Sequence, residues 1–139
     1  MAKLSPTVAE IEAMRNEVPP GPVVMVNLVK FKPGGGKEAY GQYIKATTGA
    51  AAQSGAAIEL LYAGRAGKDV AAGEQWDIVI LARYPSFAAF ADFVTHPIYQ
   101  NEAIPFRTIG LEKALFMVSQ PIDLVAEFDL AGIPGSQDT

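Results

Sequence analysis

The chain has 139 residues, half of them hydrophobic, which suits one ordinary domain that fills its own core. It contains no cysteine, which excludes a disulfide scaffold, a thiolate metal site and a cysteine nucleophile. Eleven Lys and Arg against fifteen Asp and Glu give a net charge of −4, without the basic face that nucleic-acid binding needs.

Met1-Ala2-Lys3-Leu4-Ser5 lacks the apolar stretch of a secretory signal, and no run reaches the length of a membrane span, so a cytoplasmic protein is expected. Ser5-Pro6 reads as an N-cap with proline at the first helical position. Val8, Ile11, Met14 and Val18 behind it form one apolar stripe, so a short amphipathic helix is expected to run to Val18. Pro19-Pro20-Gly21-Pro22 then stops the helix and forms a stiff linker. Residues 23–31 are rich in β-branched side chains and apolar on both faces, as an internal strand would be.

Pro33-Gly34-Gly35-Gly36 breaks the chain. Tyr40, Tyr43, Ile44, Thr47 and Ala51 then share a helical face up to Gly55, and Gly49 with Ala50-Ala51-Ala52 would let that helix approach a sheet closely. Residues 58–66 read as a second strand, 67–75 as an open hairpin connection and 76–84 as a central third strand. Ser86 caps a second helix carrying Phe87, Phe90 and Val94, which His96-Pro97 and Pro105 interrupt; residues 114–119 form the next strand. Ile122, Leu124, Phe128 and Leu130 alternate with Asp123, Glu127 and Asp129, the pattern of a further half-buried strand before a disordered tail.

The order β-α-β-β-α-β, after an extra helix, predicts an α+β ferredoxin-like fold with four antiparallel strands and both helices on one face. The expected division is residues 1–22 as N-terminal helix and linker, 23–120 as the α+β domain, and 121–139 as a C-terminal extension. Parity assigns Val24, Val26 and Leu28, Ile58, Leu60 and Tyr62, and Trp76, Ile78 and Ile80 to the helix-covered core. The opposite set is Met25, Asn27, Val29, Phe31, Glu59, Leu61, Asp77, Val79, Leu81 and Arg83. It is too apolar for solvent, so a second copy is expected to pack there, closing two sheets into a homodimeric barrel.

Residues 25–34, Trp76-Asp77, Arg83-Tyr84-Pro85-Ser86, Pro97-Ile98-Tyr99-Gln100 and Arg107-Thr108 together resemble the domain-of-unknown-function family 1330, of the dimeric α+β barrel superfamily, over positions 22 to 120. The resemblance implies the dimer; because the superfamily spans cofactor-free monooxygenases, lactone isomerases and haem-associated proteins, it implies no single reaction. The N-terminal helix, Pro105 and the C-terminal segment depart from the family pattern.

Several residues are candidates for chemistry. Gly34-Gly35-Gly36-Lys37 lacks the spacing of a phosphate loop, and a flexible turn is the simpler reading. His96, the only histidine, is a candidate proton shuttle, and Thr95-His96-Pro97 reads equally as a helix cap. A lone histidine without cysteine gives no protein-only zinc site. Asp77 is a second candidate for moving a proton. Arg83 and Arg107 would hold a carboxylate or enolate in an apolar cleft, with Asn27, Glu59 and Tyr99 beside them. The plainer alternative makes these charges a salt-bridge network that fixes the register of the dimer. Tyr43, Tyr62 and Tyr84 could add hydroxyls, or serve as core aromatics. No cofactor motif is visible. The functional expectation is therefore a homodimer that binds or converts a small organic acid without a cofactor; the alternative is a non-catalytic dimerisation or protein-interaction module.

Overall fold

A computed structural model describes residues 3–67, 71 and 73–130; parts of the expected 67–75 connection and the expected disordered tail lie outside them. In chain order the elements are α1 (Val8–Met14), β1 (Val23–Phe31), α2 (Gly36–Ser54), β2 (Glu59–Arg65), β3 (Ile78–Tyr84), α3 (Phe87–Val94), a π-helical turn (Tyr99–Ala103) running into α4 (Ile104–Gly110), β4 (Leu111–Ser119) and α5 (Leu124–Phe128). The strands form one antiparallel sheet in the order β2-β3-β1-β4.

Local chemistry sets the helix ends. The first helix starts two residues later than Ser5-Pro6 suggested, because Thr7 and Glu10 form a reciprocal capping box that satisfies two backbone donors at once. It ends at Met14 and not at Val18. Ser86 caps α3 by accepting from the Ala89 N–H at 3.0 Å, as its sequence predicts. Pro105 sits in the first turn of α4, where a missing N–H is tolerated. Just before it, the Ile104 N–H reaches back to the Tyr99 carbonyl, a five-residue step that widens the helix.

The helix-covered face of the sheet carries Val23, Met25, Asn27 and Val29 of β1, all buried. Register places Tyr84, Ala82, Ile80 and Ile78 of β3, and Val118, Phe116 and Ala114 of β4, beside them. Phe87, Phe90, Phe93, Tyr40, Tyr43, Tyr99 and Ile11 from the helices fill the core above. This corrects the parity of β1: Val24, Val26 and Leu28 lie on the open face and their odd-numbered neighbours in the core, whereas Ile78 and Ile80 of β3 lie where expected. A strand apolar on both sides carries little parity signal beyond its two polar residues, Asn27 and Lys30, and Asn27 is buried because it has hydrogen-bond partners there. In β2 the register shifts between Leu60 and Tyr62, so Tyr62 changes face and its ring covers Gly64.

Residues 122–130 do not form the expected strand. Asp123 accepts from the Val125 and Ala126 N–H groups and starts the single-turn helix α5, so its alternating apolar residues Ile122, Leu124, Phe128 and Leu130 stay exposed. Close helix approach also falls elsewhere than expected. Gly49 touches nothing, whereas a side chain on Gly36 or Gly110 would run into the other's carbonyl, so it is α2 and α4 that meet backbone to backbone. The Lys32 N–H donates to the Gly110 carbonyl at 2.8 Å at the same crossing.

Candidate functional site

That crossing lies at the end of β1 and the start of β4, and the two helices running back from it bring Arg107 over Asn27 in the middle of β1. Tyr99, Ala103, Arg107 and Gly110 recur at helical spacing and are all buried, so Arg107 occupies a position on the inner stripe of its helix. Its side chain is wholly buried, with 0% exposure. The guanidinium carbon lies 5.4 Å from the centre of the Tyr43 ring and 5.2 Å from that of Phe116, so the cation has an aromatic face on each helix and sheet neighbour. Nη2 donates to Asn27 Oδ1 at 3.3 Å, and Asn27 Nδ2 donates in turn to the Tyr40 hydroxyl at 3.3 Å. Nε donates to the Leu4 carbonyl at 3.1 Å and to Ser5 Oγ at 2.9 Å. Nη1 is buried without any hydrogen-bond partner, and among the described residues no carboxylate pairs with Arg107.

Burial keeps two of the surrounding phenols, Tyr40 and Tyr99, protonated. Burial, reinforced by Tyr43, pushes the Tyr40 hydroxyl up to about 12, against the partial opposition of Arg107 and Asn27. Burial likewise raises Tyr99 well above the ordinary value, and its hydroxyl shares a 2.7 Å hydrogen bond with that of Tyr43. The cluster therefore holds one positive charge, three tyrosine hydroxyls and one amide, with no internal counter-ion. Taking a cation out of water unpaired costs several kcal/mol, so such a site favours an incoming anion.

Beside it, a cleft of about 350 Å³ opens between α1, α3 and the sheet, lined by Met14, Met25, Phe87, Phe90, Phe116 and Val118. Leu4, Ser5 and Pro6 form one wall. The cleft can take an apolar body, and the guanidinium behind Leu4 and Ser5 can take an acid group.

Of the residues singled out in the sequence, Asn27, Tyr43, Tyr99 and Arg107 meet here. Glu59, Asp77, Arg83 and His96 do not. Arg83 lies across the sheet on the open face, where it pairs with Glu59 at 3.5 Å, directly opposite it on β2; the expected two-arginine cleft is therefore split by the sheet itself. Asp77 accepts from the Phe31 N–H at 2.8 Å and bonds through its own backbone to Val29 and Ala66, tying the end of β1 to the strand beside it. His96 Nδ1 accepts from the Ile98 N–H at 3.1 Å, the capping geometry that Thr95-His96-Pro97 allowed. Tyr40, Phe116 and Ser5 were missed. Tyr40 could have been found from its three-residue spacing to Tyr43; Ser5 is 102 residues from Arg107, and no local pattern points to it.

No protein-family model matches the chain, and no curated protein matches it. Solved structures do. The RPA0582 protein of unknown function from Rhodopseudomonas palustris, known in native and methylated forms, is 26% and 25% identical with TM-scores of 0.76 and 0.77. The match covers 88% and 87% of this chain and 98% and 96% of that one. A dimeric protein of unknown function with a ferredoxin-like fold from Bacteroides fragilis is 16% identical, with a TM-score of 0.55 over 72% of this chain and 96% of its own. A dabb family protein with a ferredoxin-like fold from Mesorhizobium loti is 11% identical, with a TM-score of 0.55 over 73% of this chain and 98% of its own. The fold is ferredoxin-like. Among the described residues, no helix is long and apolar enough to cross a membrane.

Proposed function

We propose that the protein is a homodimer and that each protomer binds a small organic acid in the cleft beside Arg107. One observation carries the binding reading: Arg107 is fully buried, is charged, and has no carboxylate partner among the described residues, while an apolar cleft stands next to it. An arginine at such a place is suited to a planar carboxylate or enolate, which its fork can hold through two parallel hydrogen bonds. Asn27 and Tyr40 hold the guanidinium from the far side, and Met25, Phe90 and Phe116 take the apolar body of the acid. Arg83, Glu59, Asp77 and His96 have no part in this cleft.

The dimer reading rests on the open face of the sheet. Val24, Val26, Leu28, Val79, Leu81, Leu115 and Met117 lie there together, and Met117 and Tyr62 are 49% and 55% exposed. A patch of that extent marks an interface, and a second copy presents the same patch. The dimeric ferredoxin-like protein from Bacteroides fragilis and the segments that resemble family 1330 support the same reading.

Native mass spectrometry of the purified protein, beside a spectrum under denaturing conditions, tests both parts. A dimer that loses a discrete acidic mass on unfolding is the expected result. A monomer would contradict the paired sheets, and a bound species without an acid group would contradict the role of Arg107.

A further inference from the structure

Leu4 and Ser5 do two things at once. They line the cleft, and they supply the two oxygens that Arg107 Nε donates to, at 3.1 Å and 2.9 Å. Arg107 itself does not line the cleft. The N-terminal segment is thus a partition between the apolar space and the only buried guanidinium among the described residues. It places two neutral oxygens on the edge of the guanidinium that an acid in the cleft would approach. From this geometry we infer that the segment Leu4–Pro6 is a displaceable gate: its oxygens stand in for a carboxylate, and a monocarboxylic acid with an apolar body binds by taking their place on Arg107. The inference rests on the organic-acid reading above and adds its regulation.

Physical chemistry favours the exchange. The segment's two oxygens share the one Nε–H and carry no charge, whereas a carboxylate adds the attraction of opposite charges in a water-poor site and can hold the fork through two parallel bonds, so it competes with them for that edge of the guanidinium. The segment is lightly held. Beyond the Arg107 contacts, its Lys3 pairs with Glu10, and Leu4 is only partly buried against the core. The helix behind it is anchored by buried Ile11 and by its own capping box. Movement is therefore confined to the residues before Thr7, where the capping box begins. While the gate is closed, the apparent affinity for the acid is reduced by the fraction of molecules in which it is open.

The chain has no cysteine, so a Leu4→Cys variant carries a single thiol that reports on the gate. Its labelling rate by a maleimide is measured without ligand and with benzoate, phenylacetate or hexanoate, whose binding is followed in parallel by calorimetry. The expected result is a several-fold faster labelling when any of these acids is bound. Adding Ser5→Ala removes one of the two acceptors; it should speed labelling without ligand and tighten acid binding several-fold, with circular dichroism unchanged. If the acids bind while labelling stays the same or slows, they reach Arg107 past a fixed segment, and the gate is refuted while the organic-acid reading stands. If Ser5→Ala speeds labelling yet none of the three acids binds either chain, the organic-acid reading fails and the gate fails with it.

Discussion

Arg107 is wholly buried and has no carboxylate among the described residues to neutralise it, and what it has instead is a set of neutral dipoles and two aromatic faces. The same burial keeps nearby tyrosine hydroxyls protonated. The consequence appears at high pH. Burial raises the hydroxyls of Tyr40, Tyr84 and Tyr99 above the ordinary value of 10.0, Tyr40 to about 12, so the unfolded chain gives up these protons first. The tyrosine contribution to stability should therefore be constant from neutral pH to about pH 10 and fall steadily as pH rises through about 12, read as the urea midpoint against pH. A midpoint unchanged across that window would mean that the tyrosines are hydrated. Arg107 was legible in the sequence as a candidate anion holder with Asn27 and Tyr99 beside it, whereas Ser5, Tyr40 and Phe116 were not. Arg83, which looked like its companion, is separated from it by the thickness of the sheet, and Asn27 was placed on the wrong face because β1 is apolar on both.

At the scale of elements, the site exists because α2 and α4 can touch. Gly36 and Gly110 each leave room for the other's carbonyl, and one and two turns further along α2 Tyr40 and Tyr43 join the cluster. Gly110→Ala would push its new methyl against the Gly36 carbonyl and the Tyr40 amide, which are backbone and cannot yield as a side chain does. The variant should lose about 1–3 kcal/mol of stability by chemical denaturation. Gly49→Ala, with nothing within 4 Å, should be neutral or stabilising. Equal effects at the two glycines would remove the crossing from the account. The sequence showed both helices, all four strands of the sheet and the interruption near His96-Pro97. It did not show which glycines make the close contact, since that depends on two segments more than seventy residues apart. The C-terminal segment was misread because period-two alternation is shared by a strand and by a short exposed turn, and the cap at Asp123 decided between them.

The whole molecule has two faces with different tasks. The helix-covered face holds the charged cluster and the cleft, and the open face holds a contiguous apolar patch centred on Leu81, which lies between Val26 and Tyr62 in the sheet. Leu81→Arg places a charge at the middle of the proposed interface without touching the cleft. Sedimentation velocity should then find a monomer with its acid binding retained, whereas a persistent dimer would locate the interface elsewhere. The central claim concerns the other face: a buried, unpaired arginine there selects for an acid group. Calorimetric titration of the protein with benzoate and with its neutral isostere benzamide tests it most directly, repeated on Arg107→Met and on Arg107→Lys, which keeps a charge without the fork. Preference for benzoate by roughly tenfold or more, reduced in Arg107→Lys and lost in Arg107→Met, is the expected result. Equal affinity for benzoate and benzamide in the unmodified chain would contradict it.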